Sequence, residues 1–496
     1  MITFIICLTA LVVAYFTYGR FLEKMCGIKQ DKQVPSKNLY DGVDYIPMPR
    51  WKTFLIQLLN IAGLGPIFGA VLGATYGPAA FLWITLGGIF MGAMHDFIAG
   101  VISLNHNGMS LPEIIGKYLG LTTKQVMRLF TVVIMMMAGA VLMLGPAGIL
   151  STMTGWDKSI WLYIVFAYFI VATLLPIDKI IGNVYPVFGI ALIFMALGIL
   201  VVLFTGNLQI PEINGWDSLA NFKTNAKEFP IIPTMFITIA CGAISGFHAT
   251  QSPMMARCLK DKKESRSVFY GAMISESIIA LIWAAAAMAF FKGYNGLENS
   301  LAGLNAALAD HGQDASWVVN EITNTTLGKF GAILALLGVV AAPITSGDTA
   351  FRSSRLIIAD FLHLEQKSIL KRLYICIPMF IIGYAITLMK YDILWRYFAW
   401  ANQTLSVFTL WTITVYLYLR GRKVQKWGVP FYFVSMIPAI FMTFICIDFL
   451  FFSKQMIGFD YTAGAICAAG LTVLITTAVC IHMKLYAKKH LEDFEI

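Results

Sequence analysis

Long apolar runs separated by polar connections recur along the whole chain. The first is ITFIICLTALVVAYFTYGRFL, and further runs fall at 54–77, 78–102, 127–149, 159–177, 184–205, 233–256, 267–291, 330–351, 372–389, 394–418, 429–452 and 461–483. A helix needs about 20 mostly apolar residues to cross a bilayer, and each run is of that order. The pattern therefore predicts an all-α polytopic membrane protein with about 13 transmembrane helices. Polar connections stand at 23–52, 206–232 and 292–326.

Two of the runs are interrupted. NIAGLGPIFG at 60–69 puts Gly63, Gly65 and Pro66 inside one, and TIACGAISGFHATQSPMMARC at 238–258 puts Gly242, Gly246, His248, Gln251 and Pro253 inside another. Backbone that leaves the helix at membrane depth has unpaired amides and carbonyls, tolerated only where protein or a polar cavity satisfies them. Paired interruptions in corresponding halves of a chain point to a binding site near the bilayer midplane.

Charge orients the helices. Alternating the connections between the two sides puts 28 of the 36 Lys and Arg on one face. By the positive-inside rule that face is cytoplasmic, so the N-terminus is expected outside and the C-terminus cytoplasmic. No basic residue precedes the first run and several follow it, which predicts a retained helix and not a cleaved signal. The two interrupted helices then run in opposite senses. The expected organisation is a LeuT-type 5+5 inverted repeat with one leading and two trailing helices: 1–52 as leading helix and cytoplasmic connection, 53–205 as the first repeat, 206–232 as an extracytoplasmic loop, 233–418 as the inverted repeat, and 419–496 as the trailing pair.

Composition narrows the function classes. Apolar residues make up 58% of the chain and charged residues 13%, with a mean hydropathy of +0.74, far from the make-up of a soluble domain. The net charge of +9 is a topology signal, since no basic domain is present to bind nucleic acid. The eight cysteines are scattered without CxxC spacing and read as small core residues. No GxSxG, HExxH, Walker loop or GxGxxG after a strand is present, so neither catalysis nor a bound cofactor is expected.

The residues that interrupt or charge the helices are the candidate functional groups. His248 and Gln251, beside Gly246 and Pro253, can face one cavity and contact substrate or a proton, or else cap the broken backbone. Gly63 and Gly65 permit conformations closed to other residues and Pro66 removes a donor. Half-helix ends there would offer amides to an anion or carbonyls to a cation, with close helix packing as the simpler reading. Asp348 ends a run that carries no other charge from Phe330 to Gly347. With Ser346, Thr349 and carbonyls freed near Gly63 it could hold sodium; alone it could carry a proton; or it could form a static pair with Arg352. Glu276 lies deep in its helix, and His95 and Asp96 lie near the cytoplasmic end of theirs. Intramembrane acids must be paired, protonated or hydrated, so these are candidate coupling groups as well. Asn402 and Gln403 could hydrogen-bond substrate or a neighbouring helix.

IAGLGPIFGAVLGATYG, LWITLGGIFMGAMHDF, DKIIGNVYPVFG, TIACGAISGFHATQSPMMARCL, FYGAMISESIIALIWA, ITSGDTAFRSSRLIIAD and LWRYFAWANQTL, in that order, resemble the carbon starvation protein A family. The resemblance implies a bacterial inner-membrane carrier linked to peptide import, with relatives that carry pyruvate, grouped with the amino acid–polyamine–cation superfamily. The expected function is secondary-active import of small carboxylate-bearing nutrients, peptides or pyruvate, in carbon starvation, driven by a proton or sodium gradient. The expected partners are a small-molecule substrate, the coupling ion and the lipid bilayer. An amino-acid transporter of the same superfamily is the alternative, and a channel or an intramembrane hydrolase are rivals from other classes.

Overall fold

Both interrupted helices break at their glycines. The computed structural model describes residues 1–31, 33–174, 181–206, 208–366, 368–389, 391–424 and 430–494. The helix Arg50–Ile61 ends at Ala62, and the chain restarts as a π-helical turn, Gly65–Gly69, that leads into Ala70–Ala74. The two halves are bent by 55°. Pro66 falls in the first turn of the second half, where a missing amide hydrogen costs nothing. The other broken helix runs through Ile231–Met235 and Phe236–Thr238, unwinds over 239–245, and resumes as Gly246–Ala256. Gly242 stands in the unwound part with φ +92°, a conformation that a side chain would disfavour.

Every regular element among the described residues is helical. Eight of these helices are long and apolar enough to cross a membrane, nine if the bent first pair is one span. Of the remaining expected spans, three overlap Lys158–Leu174, the second broken pair and Tyr391–Val424, and the run at 330–351 only partly overlaps Ala341–Leu362. The last three carry buried polar residues, which lower their hydropathy. The molecule is an all-helical, multi-pass membrane protein. Its outer surface carries large apolar side chains, among them Ile6, Leu129, Phe194, Ile381 and Leu474, while Gln57, Asn60, Asp96, His248, Glu276 and Asp348 are buried. That distribution suits lipid outside and polar groups inside.

One connection and one expected span differ from the sequence reading. The stretch 292–326 is mainly helical, with Ser300–Asp310 and the start of Ala315–Ala335. Leu301, Leu304 and Leu308 are buried at helical spacing on the first of these, and Asn299 caps it through the amides of Leu301 and Ala302. The apolar run expected at 330–351 is divided among Ala315–Ala335, a π turn at Leu336–Val340 and Ala341–Leu362. The side chains of 329–337 lie outside the described residues, as do Lys32, Lys179, Lys367, Lys390 and Lys426 from the charge assignment.

The second break is held at the centre by the helix that spans Ala79–Asn105. A Cβ on Gly92 would fall 2.3 Å from the carbonyl oxygen of Ala243, and one on Gly88 would fall 3.2 Å from that of Gly242. Only bare backbone fits against the unwound strand here. Gly92→Leu is expected to cost about 1–3 kcal/mol through overpacking, read as a lower unfolding temperature of the detergent-solubilised protein. An unchanged transition would mean that the two backbones separate freely.

Candidate functional site

The two breaks face each other. A Cβ on Gly65 would fall 2.2 Å from Cys241, and one on Gly69 would fall 3.1 Å from the carbonyl oxygen of Thr238. Groups freed by the unwinding find partners nearby. Trp83 Nε1 donates to the Ile239 carbonyl (2.9 Å), and Ser346 Oγ donates to the Leu59 carbonyl (2.7 Å). Asn402 Oδ1 accepts from the Phe247 amide (2.6 Å), and Asn402 Nδ2 donates to Ser245 Oγ (3.0 Å). Each break is thus stabilised by groups from other helices, as irregular backbone at this depth requires.

A cavity of about 30 Å³ lies between the breaks, lined among others by Gly63, Gly65, Cys241, Phe247, Ser346 and Asn402. That is room for about one water molecule, too little for a pyruvate or a peptide. His248 and Gln251 are not among the lining residues. Gln251 Nε2 donates to Thr250 Oγ1 (2.8 Å), and its Oε1 has no hydrogen-bond partner. Gly246 seats the second half-helix on Tyr391–Val424, since a Cβ there would fall 2.4 Å from the Ser406 amide nitrogen. Gln403 Nε2 donates to the Phe236 carbonyl (3.3 Å), so Asn402 and Gln403 both tie that helix to the second broken one.

His248 does not line the cavity itself and joins a buried polar chain. Its Nδ1 is 2.9 Å from Asp96 Oδ2, and His95 Nδ1 is 2.8 Å from Asp96 Oδ1. His248 Nε2 is 3.4 Å from Glu276 Oε2. All four side chains are fully buried. The chain joins Ala93–Asn105, Gly246–Ala256 and Gly271–Phe290. Such a cluster can hold a cation or exchange protons.

Asp348 belongs to a separate site. It is fully buried, it accepts a hydrogen bond from the Tyr185 hydroxyl on Oδ2, and its Oδ1 has no hydrogen-bond partner. The sodium set of Ser346, Asp348 and Thr349 is not brought together. All three lie on one continuous helix, Ala341–Leu362, where positions two apart point about 200° apart. Ser346 faces Gly63, 3.1 Å from where its Cβ would be. Thr349 Oγ1 donates to the Thr345 and Ser346 carbonyls of its own helix (3.2 and 3.0 Å). Arg352, the expected static partner of Asp348, is close enough to act on its charge, and it also extends Nη1 to within 3.6 Å of Asp44 Oδ1 and donates from Nη2 to the Ala172 carbonyl (2.6 Å).

Several residues of these sites are not among the sequence candidates. Tyr185 is a single hydroxyl in an apolar run. Gln57 and Asn60, one turn apart just before the first break, are fully buried and none of their side-chain polar atoms has a hydrogen-bond partner. Two amides at that spacing in an apolar run were the available signal. Asp44, in the connection before the first broken helix, lies 3.3 Å from Arg355 Nη2 as well as near Arg352. Burial pushes its carboxyl up, but the guanidiniums of Arg355, Arg352 and Arg257 outweigh that and hold it below the usual range.

The family model described as Carbon starvation protein CstA matches residues 1–145 and 145–330. The chain belongs to this family. It is 40% identical to an uncharacterised membrane protein of Haemophilus influenzae, over 61% of this chain and 94% of that one. It is 26% identical to the peptide transporter CstA of Bacillus subtilis, over 56% of each chain. It is 25% identical to the pyruvate/proton symporter BtsT of Escherichia coli, over 67% of this chain and 55% of that one. The chain therefore spans about half the length of these two transporters. Solved structures of two variants of the manganese transporter of Eremococcus coleocola overlay 90% of this chain and 99% of theirs, with a TM-score of 0.53 and 13% identity. That likeness shows a shared fold.

Proposed function

We propose that this CstA-family chain is a secondary-active transporter of the bacterial inner membrane. It imports small carboxylate-bearing nutrients, pyruvate or short peptides, in carbon starvation, driven by a proton or sodium gradient. The observation that carries the reading is the meeting of the two breaks around a small central cavity. The names of the Bacillus subtilis and Escherichia coli relatives support the two substrate classes.

The chemistry of the breaks fits a carboxylate. Helix starts at Gly65 and Gly246 direct positive dipole ends towards the cavity, while the carbonyl end of Arg50–Ile61 favours a cation. The cavity has to widen before a substrate enters, as alternating access requires. The 53–205 and 233–418 units would rock against each other as inverted repeats, with the N-terminus outside and the C-terminus cytoplasmic. Asp348 is the candidate coupling residue, an intramembrane acid with one free oxygen, held by Tyr185.

Uptake into sealed proteoliposomes tests the function. Labelled pyruvate, a dipeptide and an amino acid are offered under an imposed proton or sodium gradient. Saturable uptake of pyruvate or dipeptide that collapses with the gradient is expected. Uptake of the amino acid alone would move the substrate class, flux that does not saturate would mean a channel, and chemical conversion of the label would mean an enzyme.

A further inference from the structure

Cys241, His248 and Glu276 stand together with polar atoms left over. The Cys241 thiol sulfur, an imidazole nitrogen of His248 and a carboxylate oxygen of Glu276 lie within 4.8 Å of one another. His248 Nε2 and both carboxylate oxygens of Glu276 have no hydrogen-bond partner, although both residues are fully buried. Groups left so carry an uncompensated desolvation cost, larger when they are charged. The separation of 3.4 Å between Nε2 and Oε2 is long for a hydrogen bond. It matches two neighbouring ligands of one tetrahedral metal ion, since bonds of about 2.0–2.1 Å place such atoms about 3.3–3.4 Å apart.

The other face of the imidazole is already arranged for this. Asp96 Oδ2 lies 2.9 Å from His248 Nδ1, and the same carboxylate is held at Oδ1 by His95. A carboxylate acceptor at Nδ1 keeps the proton there and leaves the Nε2 lone pair facing Glu276 and Cys241. Carboxylates commonly stand behind metal-binding histidines in this way.

We propose that Cys241, His248 and Glu276 form a binding site for a transition-metal cation of the Zn²⁺ class, with Asp96 as the positioning residue behind His248. One thiolate, one imidazole and one carboxylate suit a borderline ion, whereas hard cations take oxygen ligands. Cys241 is partly exposed and lines the cavity between the breaks, so an ion has an entry path and solvent can complete the fourth position. On binding, the thiol releases its proton to solvent. The ion would then tie the unwound segment to the helix Gly271–Phe290.

The purified full chain, stripped with a chelator, is titrated with Co²⁺ as a spectroscopic probe. A thiolate-to-cobalt charge-transfer band in the near ultraviolet is expected, displaced by Zn²⁺ and absent from Cys241→Ser. Asp96→Asn is expected to weaken the titration roughly 10–100-fold. The exposed Cys467 is retained in every variant, so a band from adventitious thiol binding would persist in Cys241→Ser and overturn the proposal. A wild-type measurement needs no variant to fold: Zn²⁺ should protect Cys241 from alkylation, mapped by peptide mass spectrometry. A Cys241 alkylation rate indifferent to Zn²⁺ would overturn the site.

Discussion

Asp348→Asn is expected to abolish gradient-driven uptake in a protein that still folds. The side chain is fully buried, where a charged group alone costs a few kcal/mol, and the Arg352 guanidinium that acts on its charge is shared with Asp44, so a coupling cation or a proton completes the neutralisation. The carboxamide is close in shape, and its oxygen can still accept from the Tyr185 hydroxyl, which preserves the packing between Ile181–Thr205 and Ala341–Leu362. What is lost is the charge that a coupling ion would balance. If the ion is a proton, exchange of substrate across the membrane should survive, because the permanently neutral side chain resembles the protonated carrier. If the ion is sodium, exchange and driven uptake should both fail. Uptake and counterflow in proteoliposomes separate these outcomes, and driven uptake within about twofold of wild type, a difference of about 0.4 kcal/mol, would remove Asp348 from the coupling mechanism.

The second large effect is on stability. Asp44→Ala takes the carboxylate from beside Arg352 and Arg355, both fully buried. Breaking a buried pair by removing one partner typically costs about 3–5 kcal/mol, because the remaining charge loses its compensation, and that is a large share of a domain's stability. The thermal transition in detergent should fall sharply, while Asp44→Glu should recover part of it. The pH dependence has a definite sign. Asp44 is held below its ordinary value, so its stabilisation is fully present above about pH 4 and is lost as the pH falls through the folded-state value. Asp44→Ala should therefore show a smaller acid-side loss than the wild type. A transition unchanged in both respects would mean that the cluster is compensated elsewhere.

The helices and their breaks were legible in the chain because they are local. Apolar runs, the glycines at 63, 65, 242 and 246, and Pro66 act through their own backbone. Convergence of distant side chains was not legible. Asp96, His248 and Glu276 could each be named as polar residues in a membrane helix, but that they meet depends on how three helices pack. Closeness in sequence misled at Ser346 and Asp348, which one helix turns to different sides. His248 was expected at the cavity with Gln251, whereas rotation of the restarted helix brings Phe247 to it and carries His248 to Asp96. The stretch 292–326 read as a polar loop because Asn, Asp, Gly and other polar residues interrupt every apolar run in it, and the buried Leu301, Leu304 and Leu308 stripe is narrow against that background.

The claim that substrate sits between the two breaks is tested most directly at Cys241, which lines the cavity. The rate of Cys241 alkylation is measured in the wild-type protein with a chelator present, with and without saturating pyruvate or dipeptide. Cys467, exposed on the lipid-facing surface, serves as the internal reference for a membrane-permeant alkylating reagent. The account predicts that the transported compound slows alkylation of Cys241 and leaves Cys467 unchanged. Alkylation of Cys241 at the same rate with and without a compound that the protein demonstrably transports would contradict it.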